Sequence, residues 1–348
     1  RKTSATAPAG RIILNMRKKP ESTDLKQEGE TDMSEKLRIG IIGAGRIGKL
    51  HAANLVNRVP GAEGAAVSDV VADAAKDLAE SLGIPAYYQD YHKILEDPAI
   101  DAVFICSSTA THADFIMRAA QTGKHIFCEK PIAHDVNKIL EVKKALENSN
   151  VKYQVGFNRR FDHNFKAARK AVEGGQIGDL NILKVCSRDP GAPPVSYIKV
   201  SGGIFLDMTI HDFDMVRFMS GSEVEEVFAY GAVLVDPAIG EAGDIDTAVI
   251  SMKLANGAIA VIDNCRRASY GYDQRVEAFG SLGQVAISND SESTAVVSDA
   301  NGVHGEVPLN FFLERYMDAY GKEVAAFIDA IVNDKETPLN VYDGLKPV

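Results

Sequence analysis

The chain has 348 residues, of which 45% are hydrophobic and 25% charged, and it carries a formal net charge of -10. This is the balance of an ordinary globular protein with a sizeable interior, long enough for two domains to be expected. The acidic balance argues against nucleic-acid binding by phosphate neutralisation, and no apolar run is long enough to cross a bilayer as a helix.

Residues 1–34 are expected to form a disordered extension. They lack hydrophobic periodicity, and residues 1–20 are basic without a single acid. Arginine and serine there suggest a transit peptide, but no amphipathic stripe supports one, and Met33 reads as a natural start. A mostly apolar run, residues 37–42, then meets Gly43-Ala44-Gly45-Arg46-Ile47-Gly48, and a helical pattern continues to Val59. Strand, glycine turn and helix in this order suit a dinucleotide. The first glycine permits the turn, the second lets backbone approach pyrophosphate, and the third packs helix on strand. The helix amino terminus offers free N–H groups to the phosphates, with Arg46 and Ile47 beside them. Asp69 follows a second strand about 20 residues later, where a carboxylate accepts both ribose hydroxyls and favours NAD over NADP. A helix cap is the competing reading of Asp69.

The same alternation continues. An alanine-rich helix ends at Gly83, and the strand at residues 102–106 is β-rich throughout, as for a strand buried on both faces. Ser107, Ser108, Thr109 and His112 follow it, either lining the cofactor crevice or capping the next helix. A helix over residues 113–121 precedes a strand that runs out at Glu129-Lys130-Pro131. Lys130 stands at a strand's carboxyl end, where open α/β sheets place ligands, and Pro131 constrains its backbone. A helix over 135–147 and a strand over 151–156 complete a parallel, doubly wound sheet. The fold class is α/β, with a Rossmann domain at residues 35–157.

From residue 158 to 348 the pattern predicts an α+β domain with a large, mostly antiparallel sheet. A helix over 162–172, a strand over 180–187 and a long helical segment over 203–219 are followed by strands at 224–235, 247–254, 258–266 and 274–279. Asn256-Gly257 and Asn301-Gly302 mark hairpins, and a last helix covers 311–332. Within the long segment Asp207 and His211 lie four apart, so on a regular helix they share a face, as a general base and its orienting carboxylate or as a structural ion pair. Asp207, His211 and Asp214 are all acceptable metal ligands, but no second histidine stands at ligand spacing and no metal is expected. Cys106, Cys128, Cys186 and Cys265 form no CxxC pair and read as reduced thiols of a cytoplasmic protein.

Taken together, the glycine turn, Glu129-Lys130-Pro131, the run Gly156-Phe157-Asn158-Arg159-Arg160-Phe161-Asp162, Ser187-Arg188-Asp189-Pro190, and Ser201-Gly202-Gly203 leading to Asp207 and His211 resemble the Gfo/Idh/MocA family. The resemblance covers residues 37–346 and is closest to inositol 2-dehydrogenase members. It implies an NAD-dependent enzyme that oxidises myo-inositol at C2, with Lys130 and His211 flanking the reacting hydroxyl and Asp207 oriented toward His211. It places Glu129 and Lys130 beside the cofactor, and Asn158, Asp189, Asp214 and Tyr272 near the polyol. It also implies a homotetramer. A scyllo-inositol or aldose dehydrogenase is the alternative within the class, and a catalytically silent NAD-binding sensor the alternative outside it.

Overall fold

The computed structural model describes residues 36–348, so the extension expected at residues 1–34 lies outside the described residues. In chain order the first part comprises β1 (Leu37–Ile42), α1 (Arg46–Arg58), β2 (Ala62–Ser68), α2 (Ala72–Leu82), β3 (Ala86–Tyr88), α3 (His92–Leu95), β4 (Ala102–Ile105), α4 (Thr109–Gln121), β5 (His125–Glu129), α5 (Val136–Glu147) and β6 (Tyr153–Gly156). The strands form one sheet in the order β3-β2-β1-β4-β5-β6, every neighbouring pair parallel. Every residue of β4 is buried, which accounts for its unbroken apolar sequence. The strand order reverses between β1 and β4, and ligands of such sheets lie outside the carboxyl ends at that switch point. Gly43, Asp69, Ser107 and Lys130 all follow strand ends on that edge.

The second part begins with a 3-10 turn, Asn158–Phe161, and α6 (His163–Glu173), β7 (Leu180–Arg188) and α7 (Val195–Ser201). A π-helical turn, Phe205–Thr209, then leads into α8 (Ile210–Ser220). β8 (Val224–Ala232), α9 (Pro237–Glu241), β9 (Thr247–Leu254), β10 (Ile259–Cys265), β11 (Asp273–Gly280) and β12 (Gly283–Ile287) precede a hairpin of β13 (Val296–Asp299) and β14 (Gly302–Gly305). α10 (Phe312–Arg315), α11 (Met317–Val332) and α12 (Val341–Leu345) close the chain. The larger sheet runs β12-β11-β7-β10-β9-β8; its pairs are antiparallel except β7 with β10, so it is mixed rather than purely antiparallel. Burial alternates strictly along β9, and its inward Ile250, Met252 and Leu254 join a core with Met215, Val216 and Met219 of α8.

Two departures from the sequence reading bear on the site. The helix expected over 203–219 starts just after the left-handed backbone of Gly202 and Gly203, at φ of 87° and 78°, and its first turn is a wider π turn that carries Asp207. The helix expected from residue 311 breaks at Tyr316. Its main segment, α11, buries Val324, Phe327 and Ile328 against Ile39, Leu55 and Phe104 of the first sheet's layer. Both sheets thus belong to one compact unit, Glu35–Val348, and the residues that follow the first sheet's strands meet residues of the second part.

Candidate active site

The glycine turn is built for a close-approaching ligand. At Gly43, φ is 107° and an added Cβ would stand 2.7 Å from the Cys106 carbonyl, while at Gly48 it would collide with the Gly43 carbonyl oxygen. Gly45 differs: nothing lies within 4 Å of its missing Cβ, leaving open space at the amino terminus of α1. Here backbone N–H groups can meet a diphosphate, so the residues present fit a dinucleotide. Asp69 accepts from the Ala44 N–H at 2.7 Å and from the Val71 N–H at 2.8 Å. It therefore pins the glycine turn to the end of β2, and it does not cap α2, whose N-cap is Val71. Each of its oxygens keeps a lone pair for a ribose hydroxyl. Arg46 is exposed over the rings of Phe311 and Phe312, and Ile47 is half-buried.

Beyond β4, Ser107 exchanges a hydrogen bond with Thr111 at 2.7 Å, Ser108 is exposed, and Thr109 opens α4. His112 corrects the expectation of a cofactor contact. It is buried with Nδ1 2.8 Å from the Pro131 carbonyl and Nε2 3.0 Å from the Ser107 carbonyl, so it braces two strand-end loops together. Glu129 is corrected likewise: its carboxylate turns inward, accepting from His51 of α1 at 2.7 Å and lying over Gly156, where any Cβ would crowd it. Glu323 of α11 approaches the same pair, with ligating atoms of all three residues within 4.8 Å. His51 and Glu129 spend their facing atoms on each other, so the cluster does not alter the expectation that no metal is used.

Lys130 precedes a cis peptide to Pro131 and reaches across to the π turn, its Nζ donating to the Asp207 carbonyl at 2.7 Å and standing 3.9 Å from the Asp207 carboxylate. Burial lowers the proton affinity of Lys130, and Asp207 and Glu129 oppose that shift. Asp207 is half-buried, but Lys130 and Arg266 outweigh its desolvation and hold it below the usual carboxylate range. Its two oxygens accept from the Tyr197 hydroxyl at 2.8 Å and from Arg266 at 2.9 Å. The expected Asp207 to His211 pair is not formed: both Asp207 oxygens are taken, by Tyr197 and Arg266. His211 Nδ1 is buried with no partner among the described residues, and its ring sits edge-on to Phe157. Burial, reinforced by the Lys130 and Arg159 cations, holds its pKa well below the ordinary imidazole value. The half-buried ring is thus neutral, and Nε2 is the nitrogen left open to accept a proton.

Asp189 follows β7 directly and lies 3.6 Å from Arg266, with its pKa pushed up to about 6 by burial. Asn158 is buried and makes no side-chain hydrogen bond among the described residues. Tyr272 is 6% exposed, its ring against Phe311 and Tyr316. Asp214 is corrected: wholly buried, it is gripped by Arg160 at 2.6 and 2.9 Å and has no surface for a polyol. The sequence reading missed Tyr197, Arg159 and Arg266. Arg159, whose cation acts on His211, donates to Asp212 at 2.6 Å and to Ser187 at 3.2 Å. Arg159 stands in a run already singled out; the other two carry no spacing signal at all.

Comparison with known proteins identifies the family. Residues 37–157 match the family model described as oxidoreductase family, NAD-binding Rossmann fold, and residues 165–286 match the GFO/IDH/MocA C-terminal domain. An uncharacterized oxidoreductase, YrbE, of Bacillus subtilis is 51% identical over 90% of this chain and 92% of its own length. The myo-inositol 2-dehydrogenase of Thermotoga maritima is 50% identical over 88% of this chain and 92% of its own. Among solved structures, scyllo-inositol dehydrogenase from Lactobacillus casei with bound NAD(H) and scyllo-inositol superposes with a TM-score of 0.85 at 32% identity, covering 90% of this chain and 94% of that one.

Proposed function

The chain belongs to the Gfo/Idh/MocA family of NAD-binding oxidoreductases, and we propose that it oxidises myo-inositol at C2 to 2-keto-myo-inositol. The observation that carries the reading is the reach of Lys130, from the cofactor sheet's edge, to the Asp207 turn that leads into His211. Bound NAD supplies the hydride acceptor, held by Gly43, Gly45 and Gly48 at the amino terminus of α1 and by Asp69 at the ribose. Lys130, as an ammonium, donates to the reacting hydroxyl and favours the developing alkoxide, an effect strengthened in a water-poor cleft. His211, resting neutral, takes the proton on Nε2. Asp207 serves Lys130 rather than the imidazole, anchoring the ammonium from 3.9 Å while Tyr197 and Arg266 hold its oxygens. Asp189, Asn158 and Tyr272 are assigned to the remaining hydroxyls.

The four cysteines are free, and none of the described helices is long and apolar enough to cross a membrane; with them goes a proposed cytoplasmic location. The enzyme is assigned as a homotetramer. The decisive test measures NAD reduction across inositol isomers and aldoses, with NADP run alongside. Highest kcat/KM for myo-inositol with 2-keto-myo-inositol as product supports the reading. Preference for scyllo-inositol or an aldose would reassign the substrate, no turnover would leave an NAD-binding sensor, and a strict NADP requirement would refute the role given to Asp69.

A further inference from the structure

Arg266, one residue past β10, carries more than packing. Its side chain is 3% exposed, and one guanidinium nitrogen lies 2.9 Å from Asp207 and 3.6 Å from Asp189. Its Nε and Nη2 are buried with no partner among the described residues. Donors left unmet in an interior are costly, so a guanidinium retained there must be held by something stronger than its own hydrogen bonds. The backbone provides it. The Arg266 N–H donates to the Asp246 carbonyl at 2.8 Å, the Asp189 N–H to the Cys265 carbonyl at 2.9 Å, and the Ala268 N–H to the Asp189 carbonyl at 2.6 Å. These bonds lock the ends of β7 and β10 together and fix the root of the side chain.

We propose that Arg266 is a positioning residue for the oxidation, acting through two carboxylates: it fixes Asp207 beside Lys130 and holds Asp189 ionised at the substrate side. The inference rests on the dehydrogenase reading. Without Arg266, Asp207 keeps Lys130 and the Tyr197 hydroxyl as partners but is free to swing toward the ammonium, while Asp189 loses its nearest cation. The other groups acting on this pair are Arg159 from the 3-10 turn, Asp212 from α8, and Tyr272 ahead of β11. Arg159 is spent on Asp212 and Ser187 and cannot replace the missing charge.

The test compares wild type, Arg266→Met and Arg266→Lys by steady-state kinetics from pH 5 to 10 with NAD and the preferred polyol, and by NAD affinity. Displacing the Lys130 anchor by even an ångström is expected to lower kcat/KM about a hundredfold in Arg266→Met. Affinity for NAD should stay within about threefold, because Arg266 makes no bond to the glycine turn or to Asp69, the groups assigned to the cofactor. The acid limb should move to higher pH in Arg266→Met and return in Arg266→Lys, which restores the charge. In a cycle with Asp207→Asn, the double variant should lose little beyond either single one. Additive losses, an unmoved limb, or a limb that lysine fails to restore would each overturn the proposal. Should Arg266→Met not fold, the limb of Arg266→Lys alone decides, since lysine must keep it near the wild-type position while lowering the rate. Carboxyl carbon NMR titration of labelled aspartate, with Asp189→Asn as the assignment, needs no turnover. A buried aspartate titrating near 6 that moves upward without Arg266 supports the proposal even if the polyol reading fails, and one that stays put sinks it while leaving that reading intact.

Discussion

At the scale of single residues, His211 and Asp189 divide the acid-side chemistry in a way their ordinary pKa values hide. His211 is kept well below the usual imidazole range by burial and by two cations, which favours the free base at neutral pH. Asp189, raised to about 6 by burial, is the group that titrates on the acid side. Turnover should therefore fall below about pH 6 as Asp189 gains its proton, and Asp189→Asn should flatten that limb in a kcat/KM profile; a limb that survives the substitution belongs to another group. His211→Ala should lower kcat by about two to four decades with NAD affinity unchanged in a fluorescence titration. Near-normal turnover would remove His211 as the base. Sequence made Lys130, Asp207 and His211 candidates because each sits in a run of distinctive neighbours. It could not supply the orientation of Asp207, since nothing in the sequence marks Tyr197 and Arg266 as the partners that hold its oxygens.

At the scale of elements, α11 ties the parts together and carries an unusual acid. Glu323 is wholly buried against His51 of α1 and Glu129 of β5, and neither of its oxygens has a partner among the described residues. Burial, with Glu129 close by, raises its pKa well above the ordinary glutamate value. Above pH 4.5 the unfolded chain ionises this group while the folded chain keeps it protonated. Stability from this site is thus fully present below that pH and is lost as pH rises toward the raised folded value. Glu323→Gln removes the titration, so denaturant unfolding should show the variant gaining on wild type between pH 5 and 8, by at most about 1.4 kcal/mol per pH unit. Parallel pH dependence in the two proteins would show that Glu323 is not the source. None of this was legible beforehand: Glu323 reads as one more charge on an amphipathic helix, and only packing against the first sheet makes it an interior acid. Apart from β3 and β12, the strands of both sheets were legible, because parallel strands buried on both faces and half-buried strands leave different periodicities. The three-residue β3 and four-residue α3 were not, being too short to show any period.

At the scale of the whole molecule, the two faces of the second sheet differ. One is filled by α6 and α8, and the other carries Phe228, Tyr230, Val249 and Ile259 at 49–72% exposure, with Ile182 and Phe279 on the neighbouring strands. The register places Tyr230 beside Val249 and Phe228 beside Ser251, so these side chains form one surface rather than scattered residues. Ion pairs on the middle strands, Lys184 with Glu277 and Arg188 with Asp263, set charge among them that can be matched across a symmetry axis. An apolar sheet face of this kind is costly in water, and a second copy meeting it through a two-fold axis is the simplest cover. Light scattering should report four times the chain mass for the wild type. Charges placed on the edge strand of this face, Phe228→Glu with Tyr230→Lys, should split the assembly into smaller species while far-ultraviolet circular dichroism stays unchanged, because neither side chain contributes to the buried core. An unaltered tetramer in that variant would mean the copies meet through another surface, and a monomeric wild type would leave this face to a different partner.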